Sequence, residues 1–253
     1  MRLALVDISN SYTKMALAVD GKLGAKKRIA TGKLTASELQ RVTKTWRFDF
    51  AVVSCVAPDA LSATTDLWGD LVHVLTHRSR LSVDIDFPQP GKIGADRLAN
   101  AVGVRARYGI PAVVVDFGTA VTFDVVNAEG CYVGGVIAPG LEVMASYLYE
   151  RTALLPKLSF AEPKSFIGKN TMEAMRIGSV AGYRGMIREI LRLIRSELSP
   201  SERRRLKVVA TGGYSELIAA QLPEIQQLDS DLTLHGLWEV GVLNCGLEQK
   251  LGG

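Results

Sequence analysis

The stretch VDFGTAVTFD, from Val115 to Asp124, holds the pattern that decides the fold. An apolar run ends at an aspartate, a glycine-containing turn follows, and a second run rich in strand-forming residues begins. The stretch VDISNSYTK, from Val6 to Lys14, repeats this order with a serine in the place of the glycine. Apolar runs joined by such a turn are typical of paired strands, so one strand–turn–strand unit is predicted to occur twice.

Outward from these two stretches, the chain alternates further apolar runs with helical patterns. FAVVSCV (50–56) is predicted to be a buried strand, and LKVVATGG (206–213) a strand that enters a Gly-Gly turn. The repeat therefore predicts an α/β protein of two similarly built lobes, residues 1–110 and 111–253. We expect a central cleft between them, since ligands commonly bind in such clefts.

The composition limits the class of protein. The chain has 253 residues, is 47% hydrophobic and carries a formal net charge of +4. Its three cysteines lie far apart without a CxxC pair, which is typical of reduced thiols and disfavours a structural zinc site. No apolar run approaches the roughly 20 residues of a membrane helix. A cytoplasmic protein without a membrane partner is expected.

The two acid-led turns have the chemistry of a phosphate site. Backbone N–H groups and hydroxyls in such a turn can donate to phosphate oxygens, and the carboxylates of Asp7 and Asp116 can hold a cation. Lys14 adds a positive charge that can reach a phosphoryl group. The alternative is that both aspartates are ordinary turn residues. Their matching positions favour the phosphate site.

Two more motifs allow a functional and a structural interpretation. In GADR (94–97), Asp96 could be a general base for a hydroxyl and Arg97 could bind a carboxylate, or Asp96 could cap the following helix. In ATGG (210–213), consecutive glycines let the backbone approach a flat ligand, or they form a helix-entry turn. Spacing alone does not separate the interpretations.

Nucleic-acid binding is not expected from the arginine-rich segments. Four arginines lie near one face of a predicted helix, and RRRLK (203–207) follows, but no aromatic residues are interleaved with them. A solvated helix face explains this pattern.

Taken in order, these motifs resemble the type III pantothenate kinases, also described as the Bvg accessory factor family. The matching pieces are DISNSYTK, FPQPGKIGADR, DFGTAVTFD, GGVIAPG, IGKNT and ATGG, nearly from end to end. The resemblance implies two ribonuclease-H-like lobes of the actin/hexokinase/Hsp70-like superfamily. It also implies a homodimer that uses ATP to phosphorylate pantothenate, the first step towards coenzyme A.

The resemblance also implies a role for each matched residue. Asp96 would accept the proton of the pantothenate hydroxyl, and Asp116 would bind a monovalent cation, K⁺ or NH₄⁺, in addition to the Mg²⁺ that accompanies ATP. Thr171 would reach the substrate across the homodimer interface. The rest of the pantothenate pocket would be Phe87, Gly94, Ala95 and Arg97. The ATP-binding residues would be Asp7, Ile8, Ser9, Asn10, Ser11, Tyr12, Thr13, Lys14, Thr119, Gly212 and Gly213.

Two positions depart from the family pattern. Ser9 stands where the family has glycine; if that position requires a positive φ, the serine costs about 1 kcal/mol or more and its Cβ crowds the phosphates. Phe87 stands where tyrosine is common, which keeps an aromatic wall without the hydroxyl. Ser9 motivates an alternative, a nucleotide-binding accessory protein with weak or no turnover. A metal-dependent hydrolase of the ribonuclease-H type is a third hypothesis, and it would need clustered carboxylates.

Overall fold

The computed structural model describes residues 1–245, and its strands and helices are numbered in chain order. The strands are β1 (Arg2–Ile8), β2 (Tyr12–Val19), β3 (Lys22–Leu23), β4 (Lys27–Ala30), β5 (Phe50–Cys55), β6 (Val72–Val74), β7 (Asp84–Ile85), β8 (Ala112–Phe117), β9 (Ala120–Val126), β10 (Cys131–Pro139), β11 (Lys207–Gly212) and β12 (Gln227–Leu228). The helices are α1 (Ala36–Thr43), α2 (Ser62–Trp68), α3 (Ala95–Tyr108), α4 (Leu141–Arg151), α5 (Thr171–Ile177), α6 (Tyr183–Glu197), α7 (Pro200–Arg205), α8 (Ser215–Ala219) and α9 (Leu232–Cys245).

The chain forms two compact units that are not simply its two halves. Among the described residues, the first unit contains Met1–Gly109, Glu129–Gly134 and residues 231–245. The second unit contains Ile110–Ala128 and Gly135–Ser230. The lobes proposed from the sequence, residues 1–110 and 111–253, differ in membership from these units. The difference arises because α9 packs within the first unit, chiefly against α3, and because residues 129–134 also belong to the first unit.

The sheet of the first unit has the strand order β3-β2-β1-β5-β6, with β4 also paired to β2. Strands β1 and β2 are antiparallel, from Arg2 opposite Val19 to Ile8 opposite Thr13, whereas β5 runs parallel to β1. The turn after β2 is made by Asp20 and Gly21, which have φ angles of 47° and 80°. The sequence VDGK (19–22) predicts an Asp-Gly hairpin at this place, and these angles confirm it, since such turns require positive φ.

Each face of this sheet is covered by helices. Val6, Ile8 and Val53 pack in the apolar core beneath α1 and α2. Leu3 and Val52, on the opposite face, lie against α9, where a side chain at Gly241 would collide with both. Because successive residues of a strand point to opposite faces, Asp7 shares the face of Leu3 and Leu5. The carboxylate is thereby directed to the α9 side of the sheet.

The sheet of the second unit contains β12, β11, β8, β9 and the end of β10 in that order. Strands β8 and β9 are antiparallel, with Asp116 opposite Thr122, and β11 runs parallel to β8. The core of this unit joins Val113, Val115 and Phe117 of β8 to Ile187 of α6. The predicted repeat is therefore present, because Asp7 and Asp116 each occupy the penultimate position of the first strand in an antiparallel pair.

Two predicted boundaries need correction. The Pro- and Gly-rich stretch 87–97 predicts a loop that is followed by a helix over 98–108. Helix α3 instead begins at Ala95, so Asp96 and Arg97 lie in its first turn. The sequence also predicts one long helical stretch from about Thr171 to Leu198, but the structure divides it into α5 and α6 by a wider turn at Gly178–Gly182. Within residues 1–245 the longest apolar helices are too short to cross a membrane.

Candidate functional site

The loop between β1 and β2 is a tight turn built around Ser9. The Ser9 N–H donates to the carbonyl of Tyr12 at 3.3 Å, and the Ser9 hydroxyl donates to Oδ2 of Asp7 at 3.0 Å. Among residues 1–245, Asp20 is the non-glycine residue with positive φ, so Ser9 is not in the left-handed region. The strain expected if Ser9 required a positive φ is therefore not present.

A threonine outside the loop holds this turn in place. The Thr31 hydroxyl donates to the Ser9 carbonyl at 2.6 Å, and the Thr31 N–H donates to the Ser11 carbonyl at 3.1 Å. Since the Thr31 hydroxyl has only one proton, the 3.1 Å contact between Thr13 and Thr31 has Thr13 as its donor. Thr31 was not recognised from the sequence, because it lies 22 residues from the turn that it binds.

Asp7 lies in a buried polar position beside Ser54 of β5. The two residues are paired in the parallel register of β1 and β5, and the Asp7 residue is only 3% exposed. Ser54 is fully buried, and its Oγ has no hydrogen-bond partner within residues 1–245. Burial raises the pKa of the neighbouring Cys55 thiol, and the Asp7 negative charge raises it further. This thiol therefore stays protonated at neutral pH, and the polar chemistry here belongs to Asp7 and Ser54.

The GADR motif forms the N-terminus of helix α3. Gly94 is the N-cap residue, and Oδ1 of Asp96 accepts a hydrogen bond of 2.8 Å from the Arg97 N–H. A carboxylate at this end of a helix interacts favourably with the helix dipole. Asp96 thus takes part in capping from the second helical position, and it remains partly exposed. The capping interaction does not exclude a role as proton acceptor.

Arg97 belongs to a cluster with two aromatic rings. Its guanidinium carbon lies 5.8 Å from the centroid of the Tyr132 ring, and the Phe87 and Tyr132 rings are edge to face at 6.4 Å. Gly134 has a φ of 112°, and a Cβ there would meet the Phe87 ring at 3.6 Å. Tyr132 was missed in the sequence, where it reads as an ordinary strand residue before Gly134. The cluster provides a positive charge beside an aromatic wall.

The first loop and the start of α3 are linked through Val56. The Val56 N–H donates to the Ile8 carbonyl at 3.0 Å, directly before the Ser9 turn. A Cβ at Gly94 would lie 3.5 Å from Cγ1 of Val56. Residues 7–14 and 94–97 therefore occupy neighbouring places in the first unit, both close to the carboxyl ends of β1 and β5.

The second unit brings the DFGT and ATGG motifs together. The Gly213 N–H donates to the Phe117 carbonyl at 3.1 Å, and Thr211 pairs with Asp116 in the parallel register. Gly212 has a φ of 92°, and a Cβ there would lie 2.6 Å from both Oδ1 of Asp116 and the Phe117 nitrogen. Only glycine fits at this point, because the two backbones are nearly in contact.

Thr119 lies at the exposed tip of the β8–β9 turn. Its carbonyl accepts a 3.0 Å hydrogen bond from the Gly140 N–H, immediately before α4 begins. A Cβ at Gly140 would collide with the carbonyl oxygens of Thr119 and Gly118. The Thr119 and Gly118 carbonyl oxygens therefore lie close together against Gly140, which holds the turn at the start of α4.

Thr171 lies elsewhere in the second unit, as the first residue of α5. It lines an apolar groove of about 700 Å³ between α4 and α5. The groove walls include Met144, Tyr147 and Met175, and Tyr147 is 60% exposed. The predicted site residues thus form three groups: the loop with α3 in the first unit, the paired turns in the second, and Thr171 in the groove.

The comparisons with known proteins agree with these motifs. A chain from Akkermansia muciniphila named type III pantothenate kinase is 46% identical over 96% of this chain and 100% of its own length. One of the same name from Methylacidiphilum infernorum is 40% identical over 94% of this chain and 87% of its own.

Solved structures share the fold. A protein from Campylobacter jejuni described as a Baf family transcriptional activator superposes with a TM-score of 0.60 at 19% identity, covering 96% of this chain and 100% of its own. MreB 5 of Spiroplasma citri superposes with a TM-score of 0.55 at 10% identity, covering 99% of this chain and 98% of its own. The fold is thus the α/β fold of the actin-like ATPases, as predicted. The family profile described as type III pantothenate kinase matches residues 3–193. The chain therefore belongs to the type III pantothenate kinase family.

Proposed function

We propose that this protein transfers the γ-phosphoryl group of ATP to the primary hydroxyl of pantothenate, which yields 4′-phosphopantothenate, the first step of coenzyme A biosynthesis. Family membership supports this reaction. The observation that carries it is the Asp96 carboxylate at the start of α3, adjacent in the chain to an arginine that lies beside an aromatic wall. A base next to a carboxylate-binding cation matches a substrate with an alcohol and a carboxylate.

The Arg97 cluster supports recognition of pantothenate. The guanidinium of Arg97 can bind the carboxylate of the substrate, because its planar donors match two oxygens. Phe87 and Tyr132 offer apolar ring surface for the dimethyl group. Phe87 has no hydroxyl, so it contributes shape and apolar contact only. Gly94 and Ala95 bring the backbone of the pocket close to the substrate.

In the proposed reaction, Asp96 accepts the proton of the pantothenate hydroxyl as its oxygen attacks the γ-phosphorus. The new O–P bond forms while the bond between the γ-phosphorus and the β,γ-bridging oxygen breaks, and ADP leaves. Lys14 and the N–H groups of the Ser9 turn bind the phosphates. Magnesium carried by ATP neutralises phosphate charge, and the buried Asp7 and Ser54 oxygens are suited to bind it directly or through water.

Asp116 is the proposed ligand of a monovalent cation, K⁺ or NH₄⁺. Its carboxylate is partly buried in the second unit, and closely spaced backbone carbonyls at residues 118–119 are part of the same turn. Carboxylate and carbonyl oxygens are ligands that such cations prefer. Thr119 and the glycines at 212 and 213 complete the proposed ATP contacts of this unit.

A homodimer is proposed from the groove between α4 and α5. Exposed apolar side chains line it, including Val143 at 43%, Met144 at 40% and Tyr147 at 60% exposure. Apolar patches of this kind mark interaction surfaces, and a second copy of the chain would cover them. Thr171 lies in this groove, so the same association would bring it to the substrate of the other subunit. Tyr147→Glu should then yield monomers in light scattering, whereas Tyr149→Glu, on the same helix outside the groove, should not.

The accessory-protein alternative loses its motivation, because Ser9 has no positive φ and its hydroxyl binds Asp7. The hydrolase hypothesis is not favoured, since no metal-binding group of three His, Cys, Asp or Glu occurs in residues 1–245.

A cytoplasmic location is proposed for this metabolic kinase, in keeping with its three free cysteines.

The reaction is tested by measuring ADP release with and without pantothenate, in potassium or sodium salt. The proposal expects release that depends on pantothenate, is stimulated by potassium and falls by about 10²–10⁴-fold in Asp96→Asn. Thermal unfolding of Asp96→Asn serves as the control for folding. ADP release that does not depend on pantothenate would contradict the proposal. ATP binding without turnover would favour an accessory protein.

A further inference from the structure

One row of polar side chains crosses four strands of the first sheet. Lys14 of β2 lies directly opposite Arg28 of β4, and on its other side it lies opposite Asp7 of β1. Asp7 in turn pairs with Ser54 of β5. Directly paired residues project to the same face of a sheet, and neighbouring strands are roughly 4.8 Å apart. Arg28 therefore stands about two strand spacings, roughly 10 Å, from Asp7.

The row contains two adjacent positive charges. Like charges directly opposite each other in a sheet are destabilising unless an anion compensates them. Neither Lys14 nor Arg28 forms an ion pair with a carboxylate in the part of the chain that the structure describes. Lys14 is partly exposed and Arg28 is exposed, so both can be reached by a ligand. Asp7 lies opposite Lys14 on the other side of the row, whereas Arg28, on the outer strand β4, has no carboxylate opposite it in the described strands. An anion from outside the chain would compensate the Arg28 charge.

Tyr12 holds the Arg28 side chain in a defined position. The guanidinium carbon of Arg28 lies 3.4 Å from the centroid of the Tyr12 ring, which is the geometry of stacking. A stacked guanidinium keeps its N–H groups in its own plane, where they can donate to two oxygens of one phosphate. Tyr12 follows the Ser9 turn directly, so the stack lies at the end of the proposed phosphate loop. The arginine is thereby preorganised next to that loop.

We propose that Arg28, stacked on Tyr12, binds a phosphate group of ATP together with Lys14. This assignment rests on the proposed function, because it takes the loop from Asp7 to Lys14 as the site of the triphosphate. The polyphosphate chain supplies the missing negative charge. Arg28 then positions the triphosphate, and Tyr12 positions Arg28.

The next residue along the strand provides a matched control. Lys27 is also exposed and positively charged, but it pairs with Met15 and so projects to the opposite face. Changing Lys27 removes the same charge from the same strand. A general loss of positive potential would affect both variants, whereas direct phosphate binding affects only Arg28.

The test compares binding of ATP and of adenosine by calorimetry in the wild type, Arg28→Gln and Lys27→Gln. Arg28→Gln should weaken ATP binding by about tenfold and leave adenosine binding unchanged, since charge-assisted bonds to phosphate are lost. Lys27→Gln should change neither by more than about twofold. Equal ATP affinity in Arg28→Gln and the wild type overturns the proposal, and so does an equal loss for adenosine.

Tyr12 variants separate positioning from charge. Tyr12→Leu keeps Arg28 but removes the stacking ring, so it should weaken ATP binding, and Tyr12→Phe should restore it. Equal binding by Tyr12→Leu and Tyr12→Phe would contradict the positioning role. Pantothenate turnover is measured separately: a wild type that binds ATP but does not phosphorylate pantothenate contradicts the proposed function, and the Arg28 comparison still decides this assignment.

Discussion

The two acid-led turns share a strand arrangement but are stabilised in different ways. Between β1 and β2, residues 9–11 are bound by side-chain hydroxyls, chiefly that of Thr31. Between β8 and β9, the carbonyls of residues 118–119 pack against Gly140, and Asp116 and Phe117 at the end of β8 pack against Gly212. The first turn therefore accommodates a serine without a positive φ, whereas Gly140 and Gly212, which pack against the second turn, have no room for a Cβ. The difference shows that a glycine is required by contacts around a turn as well as by φ.

The largest effect is expected from Gly212→Ala. A methyl group there would lie 2.6 Å from Oδ1 of Asp116, at a φ of 92°. Strain of this kind costs about 1–3 kcal/mol, and the displaced Asp116 should also reduce turnover. Denaturant unfolding and ADP release measure the two effects. Gly213→Ala is the matched control, because no atom lies within 4 Å of a Cβ at that position; equal losses in both variants would contradict the argument.

A smaller effect is expected from Thr31→Val in the first turn. This change keeps the shape of the side chain but removes its bond to the Ser9 carbonyl, at a cost of about 1–3 kcal/mol. The Michaelis constant for ATP should rise more than that for pantothenate, because the loosened turn is the proposed phosphate loop. Thr31→Ser, which retains the hydroxyl, should remain close to the wild type. If Thr31→Val leaves the Michaelis constants for ATP and pantothenate unchanged, the Thr31 hydrogen bond stabilises the fold without contributing to ATP binding.

The smallest effect is expected from Ser9→Gly. It removes the 3.0 Å bond to Asp7 and adds freedom to the unfolded chain, so stability should fall by about 0.5–1 kcal/mol. ATP affinity should not improve, because Ser9 is not held at a positive φ. Calorimetric titration with ATP measures this directly. A clear gain in affinity would mean that the serine Cβ obstructs the phosphates after all.

The sequence predicted the two strand pairs because their information is local. Apolar runs, the Asp20–Gly21 turn and the aspartates at matching positions all lie within a few residues of one another. The sequence could not show how the Ser9 turn is held, since Thr31, which donates to the Ser9 carbonyl, lies 22 residues further along the chain. It also overestimated the length of the loop before α3, because Gly94 lacks the side chain of a usual N-cap.

Residues that act through cross-strand contacts were missed for a related reason. Tyr132 meets Phe87 and Arg97 only when β10 pairs with β7, and Arg28 meets Lys14 only in the register of β4. Neither residue belongs to a recognisable motif. Periodicity identifies strands but does not specify which distant strand is the neighbour. Candidate residues of this kind can therefore be identified only when the pairing of the strands is known, after the motifs have indicated the general fold.

Helix α9 sets the order in which the chain can fold. A side chain at Gly236 would collide with the Ala99 backbone of α3, so the two helices are in intimate contact although more than 120 residues separate them. A ribosome must therefore synthesise the whole second unit before the first can bury α3 and the α9 face of its sheet. Contacts of such high sequence separation are slow to form. A nascent chain stalled before residue 231 should accordingly remain protease-sensitive in its first hundred residues, while residues 110–230 become resistant first.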